Sequence, residues 1–135
     1  MTIVVCLDDR NGMSFNKRRQ SSDRELRKRL LTITEGKRLW MTAYSAKQFT
    51  EPEAQIEITK DFSEVTTGEC VFVESTIPTE LVGRAKYLVV YRWNRVYPSD
   101  TVFPLEAFIG NRTPSTVYEF AGYSHEKLTE EVYEL

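Results

Sequence analysis

The sequence predicts an α/β sandwich with a mainly parallel central sheet, and three observations carry that expectation. Thr2 to Leu7 (T-I-V-V-C-L) and Cys70 to Val73 (C-V-F-V) are nearly continuous apolar, β-branched runs of the kind found in strands covered on both faces. Strand patterns alternate with helical ones from Thr2 to Val82, which is the order of crossover units that join parallel strands. The 135 residues, 41% hydrophobic and 28% charged, suit one core, so a single domain over 1–135 is expected, built in three layers.

The elements follow in order. After Leu7, Asp8-Asp9-Arg10-Asn11-Gly12 breaks the apolar run with turn residues, and Asn-Gly tolerates the positive φ of a tight turn. Ser22 and Glu25 read as a capping box, with Ser22 the N-cap and Asp23 at the first helical position, where the helix dipole favours its charge. Leu26, Leu30, Leu31 and Ile33 then form an apolar stripe, and the helix stops near Gly36. Arg38 to Thr42 reads as a second strand and Ser45 as the cap of a short helix carrying Phe49; Gln55 to Thr59 alternates as an edge or half-buried strand. Asp61 to Glu69 is a polar linker, Ile77 to Val82 a helix of barely two turns with Pro78 in its first turn, and Lys86 to Trp93 the longest strand. Asn94 to Pro104 is a loop, and Ala107 to Pro114 continues irregularly. Thr116 to Phe120 has strand composition, and Leu128, Val132 and Leu135 sit at helical spacing behind Ser124, predicting a terminal helix.

Charge is unevenly spread. The net charge is only −2, yet Arg10 to Arg38 holds ten basic and three acidic residues, and Glu119 to Leu135 holds five glutamates and one lysine. Lys17, Arg18, Arg19, Arg24, Lys28 and Arg29 form a basic patch suited to steering a phosphate or nucleic acid, with Phe15, Tyr44, Tyr91 or Trp93 for stacking. A solvated helix face that attracts the acidic tail explains the same residues.

In a parallel sheet, ligands bind beyond the carboxyl ends of the strands, which here means Leu7 to Asn11, Thr42 to Ser45 and Glu74 to Thr76. Several motifs fall at or near these ends. Gly12-Met13 follows the first strand and Asp23 opens the first helix; Leu39-Trp40-Met41 leads into Thr42-Ala43-Tyr44-Ser45; Val71-Phe72-Val73 leads into Glu74-Ser75; and Asp100-Thr101-Val102-Phe103-Pro104 follows the long strand. In this order they resemble the dihydrofolate reductase family in a shortened, divergent form, over residues 2 to 104 with a deletion between Phe49 and Cys70.

The resemblance implies a substrate pocket around Leu7, Gly12, Met13, Phe15, Asp23, Tyr44, Ser45 and Tyr91, with Asp23 the candidate proton donor and hydrogen-bond partner of a pterin ring. It also shows where the chain departs from the family. Ala43 stands where the family has an arginine for the NADPH phosphate, and Glu74-Ser75 replaces a Gly-Gly turn that lets the backbone approach the dinucleotide. Arg18-Arg19-Gln20 stands where a tryptophan is expected, and Tyr91 replaces a small hydroxyl residue whose pocket its ring would enter. No cofactor is therefore expected, NADPH being the one in question.

Other chemistries lack their residues. Asp8-Asp9 has no third metal ligand nearby, and the single histidine, His125, read as exposed near a helix start, rules out the two-zinc site of a ribonuclease Z. A serine or cysteine hydrolase has no G-x-S-x-G elbow, with His125 lying in the acidic tail. Cys6 and Cys70, both in apolar runs, read as buried free thiols. No apolar run reaches membrane-spanning length, so a cytoplasmic location without membrane contact is expected. Three functions remain: a reductase-like domain with a degenerate NADPH site that binds a small molecule or a protein partner, itself included as a homo-oligomer; a nucleic-acid or phosphate binder; and a divergent pterin reductase.

Overall fold

The computed structural model describes residues 1–77 and 79–135, so Pro78 and its expected place in a first helical turn lie outside the described residues. Seven strands form the main sheet. They are β1 (Thr2–Leu7), β4 (Leu39–Met41), β5 (Ile56–Ile58), β6 (Cys70–Phe72), β7 (Tyr87–Arg92), β9 (Thr116–Phe120) and β10 (Leu128–Glu134), in the order β5-β4-β6-β1-β7-β10-β9. A small second sheet joins β3 (Arg18–Arg19), β2 (Gly12–Phe15) and β8 (Thr101–Val102). The helices are α1 (Arg24–Ile33), α2 (Ala43–Ala46), α3 (Thr79–Val82) and α4 (Leu105–Ile109).

The first five strands of that order run parallel, with β1 at the centre pairing Ile3 with Val71 on one side and Val4 with Val89 on the other. Alternation along β1 divides the core. Ile3, Val5 and Leu7 face one way, packing with Val71, Leu88, Val90, Leu81 and the α4 side chains Leu105 and Phe108. Val4 and Cys6 face the other way, toward Leu26 and Leu30 of α1. Helices thus cover both faces of the sheet, the three-layer arrangement the sequence predicts. Cys6 and Cys70 are buried and free.

Two expectations about secondary structure give way. Ala107 to Ile109, within the Ala107 to Pro114 stretch read as irregular, belong to α4, whose Phe108 stacks on Phe103 at 4.9 Å. The predicted terminal helix is instead strand β10, lying antiparallel between β7 and β9. The spacing misleads because a separation of four keeps two residues on one face of a strand as well as of a helix. Leu128 and Val132 do share a face, while Leu135, seven positions from Leu128, packs on the opposite one.

The acidic tail is part of this sheet. Glu130 of β10 lies opposite Tyr91 of β7, accepts its buried hydroxyl at 2.8 Å, and is held by both ends of the Arg29 guanidinium at 2.8 and 3.0 Å. Burial, then the Glu130 charge, pushes the Tyr91 hydroxyl far above its ordinary value, so it stays a donor. No helix among the described residues is long and apolar enough to cross a membrane.

Because β10 supplies one edge of β7 and the only strand partner of β9 among the described residues, a chain ended before Leu128 loses two strand pairings at once. Such a truncation is expected to show no cooperative thermal unfolding transition by circular dichroism, where the full chain shows one.

Candidate functional site

Asp23 sits where β3 runs into α1 and is 3% exposed. Its backbone is extended (φ −149°, ψ 130°), and it, rather than Ser22, is the N-cap. Oδ1 accepts from the N–H groups of Glu25 (2.8 Å), Leu26 (3.4 Å) and Tyr123 (2.9 Å). Oδ2 accepts from the Ser124 N–H (2.9 Å), the Ser124 hydroxyl (3.2 Å) and His125 Nδ1 (2.9 Å). An ionised carboxylate accepts charge-assisted bonds that a hydroxyl cannot match, which moves the cap one residue along. Ser22 instead accepts from Arg27 at 2.8 Å.

Burial alone would raise the Asp23 pKa; the bonds from Tyr123, His125, Ser124 and Glu25 outweigh it and hold the carboxyl far below the usual carboxylate range. A group so placed keeps its negative charge at neutral pH and gives up a proton far more readily than an ordinary carboxyl. Nor is the space beside it a cleft filled by Tyr91 or Phe15. Tyr91 lies in the core at 0% exposure, Phe15 is 50% exposed, and the Gly122 to His125 turn between β9 and β10 covers the carboxylate.

His125 is thereby corrected from exposed to buried. It is 5% exposed, its ring stacked on Trp93 at 4.8 Å. With Nδ1–H given to Asp23, Nε2 is left to accept, and the hydroxyls of Ser21 (3.0 Å) and Tyr97 (3.1 Å) reach it. Ser21, His125 and Asp23 therefore stand in line, which the sequence reading missed. No spacing motif joins residues a hundred positions apart; the only signal was a lone histidine in a Gly-containing turn between two strand patterns.

The other expected residues divide between core and cleft. Leu7 and Met13 are core side chains, and Gly12 lies so close beneath Gln20 and Ser99 that a Cβ there would fall within 2.8 Å of them. Asp8 is buried, taking the N–H groups of Arg10 and Gly12 at 2.8 Å and so fastening the loop after β1. Tyr44 and Ser45 do reach a shared cavity of about 160 Å³, bordered by Ser14, Lys17, Arg18, Arg19, Thr42 and the Glu74 to Thr76 turn. It lies at the carboxyl ends of β4 and β6, as expected for such a sheet. A larger open depression of about 560 Å³ sits at the opposite end, beside Lys28, Glu35, Lys37 and Leu39.

An ion pair crosses the smaller cavity's mouth. Arg19 Nε donates to Glu74 at 2.9 Å, Nη2 donates to Glu74 and to the Tyr44 carbonyl at 3.2 Å, and the guanidinium lies 4.3 Å from the Tyr44 ring centre. Inside, the Ser14 hydroxyl is fully enclosed and has no hydrogen-bond partner among the described residues. Small-molecule pockets usually measure roughly 300 to 1,000 Å³, so this is a compact cavity, and Glu74 brings a carboxylate to it. Thr42, and not Ser45, caps α2, its hydroxyl accepting the Ser45 N–H at 3.3 Å.

The basic patch is largely neutralised. Arg19 pairs with Glu74, Lys28 with Glu25 at 3.3 Å, and Arg29 with Glu130; Arg24 lies 3.9 Å from Glu25 and over the Tyr123 ring. Among the described residues, Lys17 and Arg18 alone of the six make no such pair. No group of three or more His, Cys, Asp or Glu converges as a metal site among those residues.

No protein-family model matches the chain, and no curated protein resembles it in sequence. Among solved structures, dihydrofolate reductase from Enterococcus faecalis, in complex with NADP(H) and RAB-propyl, superposes with a TM-score of 0.68 over 98% of this chain and 94% of that one, at 12% sequence identity. The chain thus has a dihydrofolate reductase-like fold, and the likeness runs past residue 104, where the motif resemblance ended, through β9 and β10. An identity that low carries the fold and not the activity.

Two outcomes follow for the Asp23 cluster. The depressed folded pKa means its contribution is complete above the unfolded value of about 3.9 and is lost as pH falls toward the folded one. Asp23→Asn should therefore cost about 2 kcal/mol at pH 7 and flatten the acid side of the stability curve between roughly pH 4 and pH 2, measured by urea midpoints. A Cβ on Gly122 would meet the His125 carbonyl at 2.6 Å and Asp23 Oδ2 at 2.8 Å. Gly122→Ala is expected to destabilise by about 1 to 3 kcal/mol and to shift the His125 ring resonances in NMR spectra.

Proposed function

We propose that this chain is a dihydrofolate reductase-like domain with a degenerate NADPH site, which binds a small molecule in the cavity at the carboxyl ends of β4 and β6 and transfers no hydride there. The observation that carries the reading is the Arg19–Glu74 pair at the cavity mouth. Glu74 stands in the turn where the family resemblance implies close approach of the dinucleotide, and the pair ties β3 down onto that turn after β6. The residual space suits a compact ligand. Thr42, Tyr44, Ser45, Ser75 and Thr76 supply hydroxyls, Lys17 and Arg18 positive charge, and Phe62 and Phe72 an apolar wall.

Asp23 points the same way. A pterin reductase needs a carboxyl that can carry and deliver a proton, and this one is saturated with donors. The reading places the protein in the cytoplasm as a binding module, and of the basic patch it leaves only Lys17 and Arg18 unpaired for a nucleic acid among the described residues.

The reading predicts no change in melting temperature with millimolar NADPH and no NADPH-dependent reduction of dihydrofolate. A fragment library followed by amide chemical shifts should move Ser14, Thr42, Tyr44, Ser45 and Ser75 together. A shift of several degrees with NADPH overturns it in favour of a divergent reductase. Steeply salt-dependent RNA or DNA binding, lost in Lys17→Ala with Arg18→Ala, overturns it in favour of a nucleic-acid binder.

A further inference from the structure

We propose that Ser21 is a nucleophile, activated through His125 and positioned by Asp23, and that this second site cleaves short-chain carboxylic esters by acyl transfer. It lies apart from the cavity described above, whose lining does not include Ser21. Ser21 Oγ is 3.0 Å from His125 Nε2, and His125 Nδ1 is 2.9 Å from Asp23 Oδ2. These are the separations of a relay in which a carboxylate fixes the tautomer, the imidazole accepts at Nε2, and the hydroxyl gives up its proton as it attacks.

Four features of the surroundings fit this role. Asp23 is held ionised, so the Nδ1–H tautomer is fixed and the imidazolium formed during attack is stabilised. The His125 ring is stacked on Trp93 and held at Nδ1 by Asp23, so its Nε2 keeps its direction. Ser21 itself is partly exposed, so the acyl carbon has a route to Oγ. The N–H groups of Ser21, Ser22 and Asp23 donate to no other described residue, which leaves donors beside Oγ for an oxyanion. Tyr97 is the competitor: its hydroxyl also reaches Nε2, at 3.1 Å.

The reaction balances without a cofactor. Oγ forms a bond to the acyl carbon while its proton passes to Nε2; the C–O bond to the alcohol then breaks and the alkoxide takes that proton. Water attacks the acyl-Ser21 ester, giving its proton to Nε2, and the acid leaves as Oγ recovers a proton. Ester and water become acid and alcohol.

The test uses the full chain with a fluorophosphonate probe and p-nitrophenyl acetate. Mass spectrometry should find one adduct, on Ser21, and Ser21→Ala should abolish it and lower hydrolysis by roughly 100-fold. Tyr97→Phe, which removes the second donor to Nε2, should speed labelling, a change that a purely structural hydroxyl cluster would not give. Circular dichroism establishes that both variants fold. Labelling elsewhere, no labelling, or hydrolysis unchanged in Ser21→Ala overturns the proposal; none of these outcomes bears on ligand binding in the β4–β6 cavity.

Discussion

One buried carboxylate organises the top of this molecule. Asp23 takes six hydrogen bonds from two distant parts of the chain, two from the first turn of α1 and four from the turn between β9 and β10. A charge without water is costly unless every lone pair is used, and here they are used. The helix start, the hairpin turn and the orientation of His125 consequently share one anchor. Gly122 belongs to the same arrangement, since the turn reaches the carboxylate only where no Cβ intervenes.

The same logic recurs in the other charged residues of the basic segment. Arg29 grips Glu130 in the outer part of the sheet, Arg27 pairs with Glu51, and Arg19 with Glu74. A stretch that looks in sequence like a positive lure is, in three dimensions, a set of fasteners whose counterions come from β10, the α2–β5 connection and the turn after β6. Of the six residues of the basic patch, Lys17 and Arg18 at the hairpin tip alone make no ion pair among the described residues.

Strands and the parallel core were legible because apolar, β-branched runs such as T-I-V-V-C-L have few other uses. The carboxyl-end rule likewise brought Thr42, Tyr44, Ser45 and Glu74 to one cavity. What was not legible depends on contacts between distant residues. The β10 segment repeats at a spacing common to helix and strand, and only its pairing with Tyr91 and Tyr118 decides the matter. Ser22 and Asp23 are adjacent potential caps, and the choice falls to Asp23 through donors about a hundred positions away. The Ser21, His125 and Asp23 alignment is invisible for the same reason: nothing local relates residue 21 to residue 125.

The sequence distance across the Asp23 clasp also orders events in time. A nascent α1 has only the Glu25 and Leu26 amides to offer its cap, both local and quickly formed. The remaining partners arrive only when the β9–β10 hairpin docks, after loop closure over about a hundred residues, which contact-order arguments place late in folding. Until then Asp23 is a solvated surface carboxylate with an ordinary affinity for protons. The affinity of Asp23 for protons therefore falls only as the hairpin docks, so protonating it beforehand opposes docking.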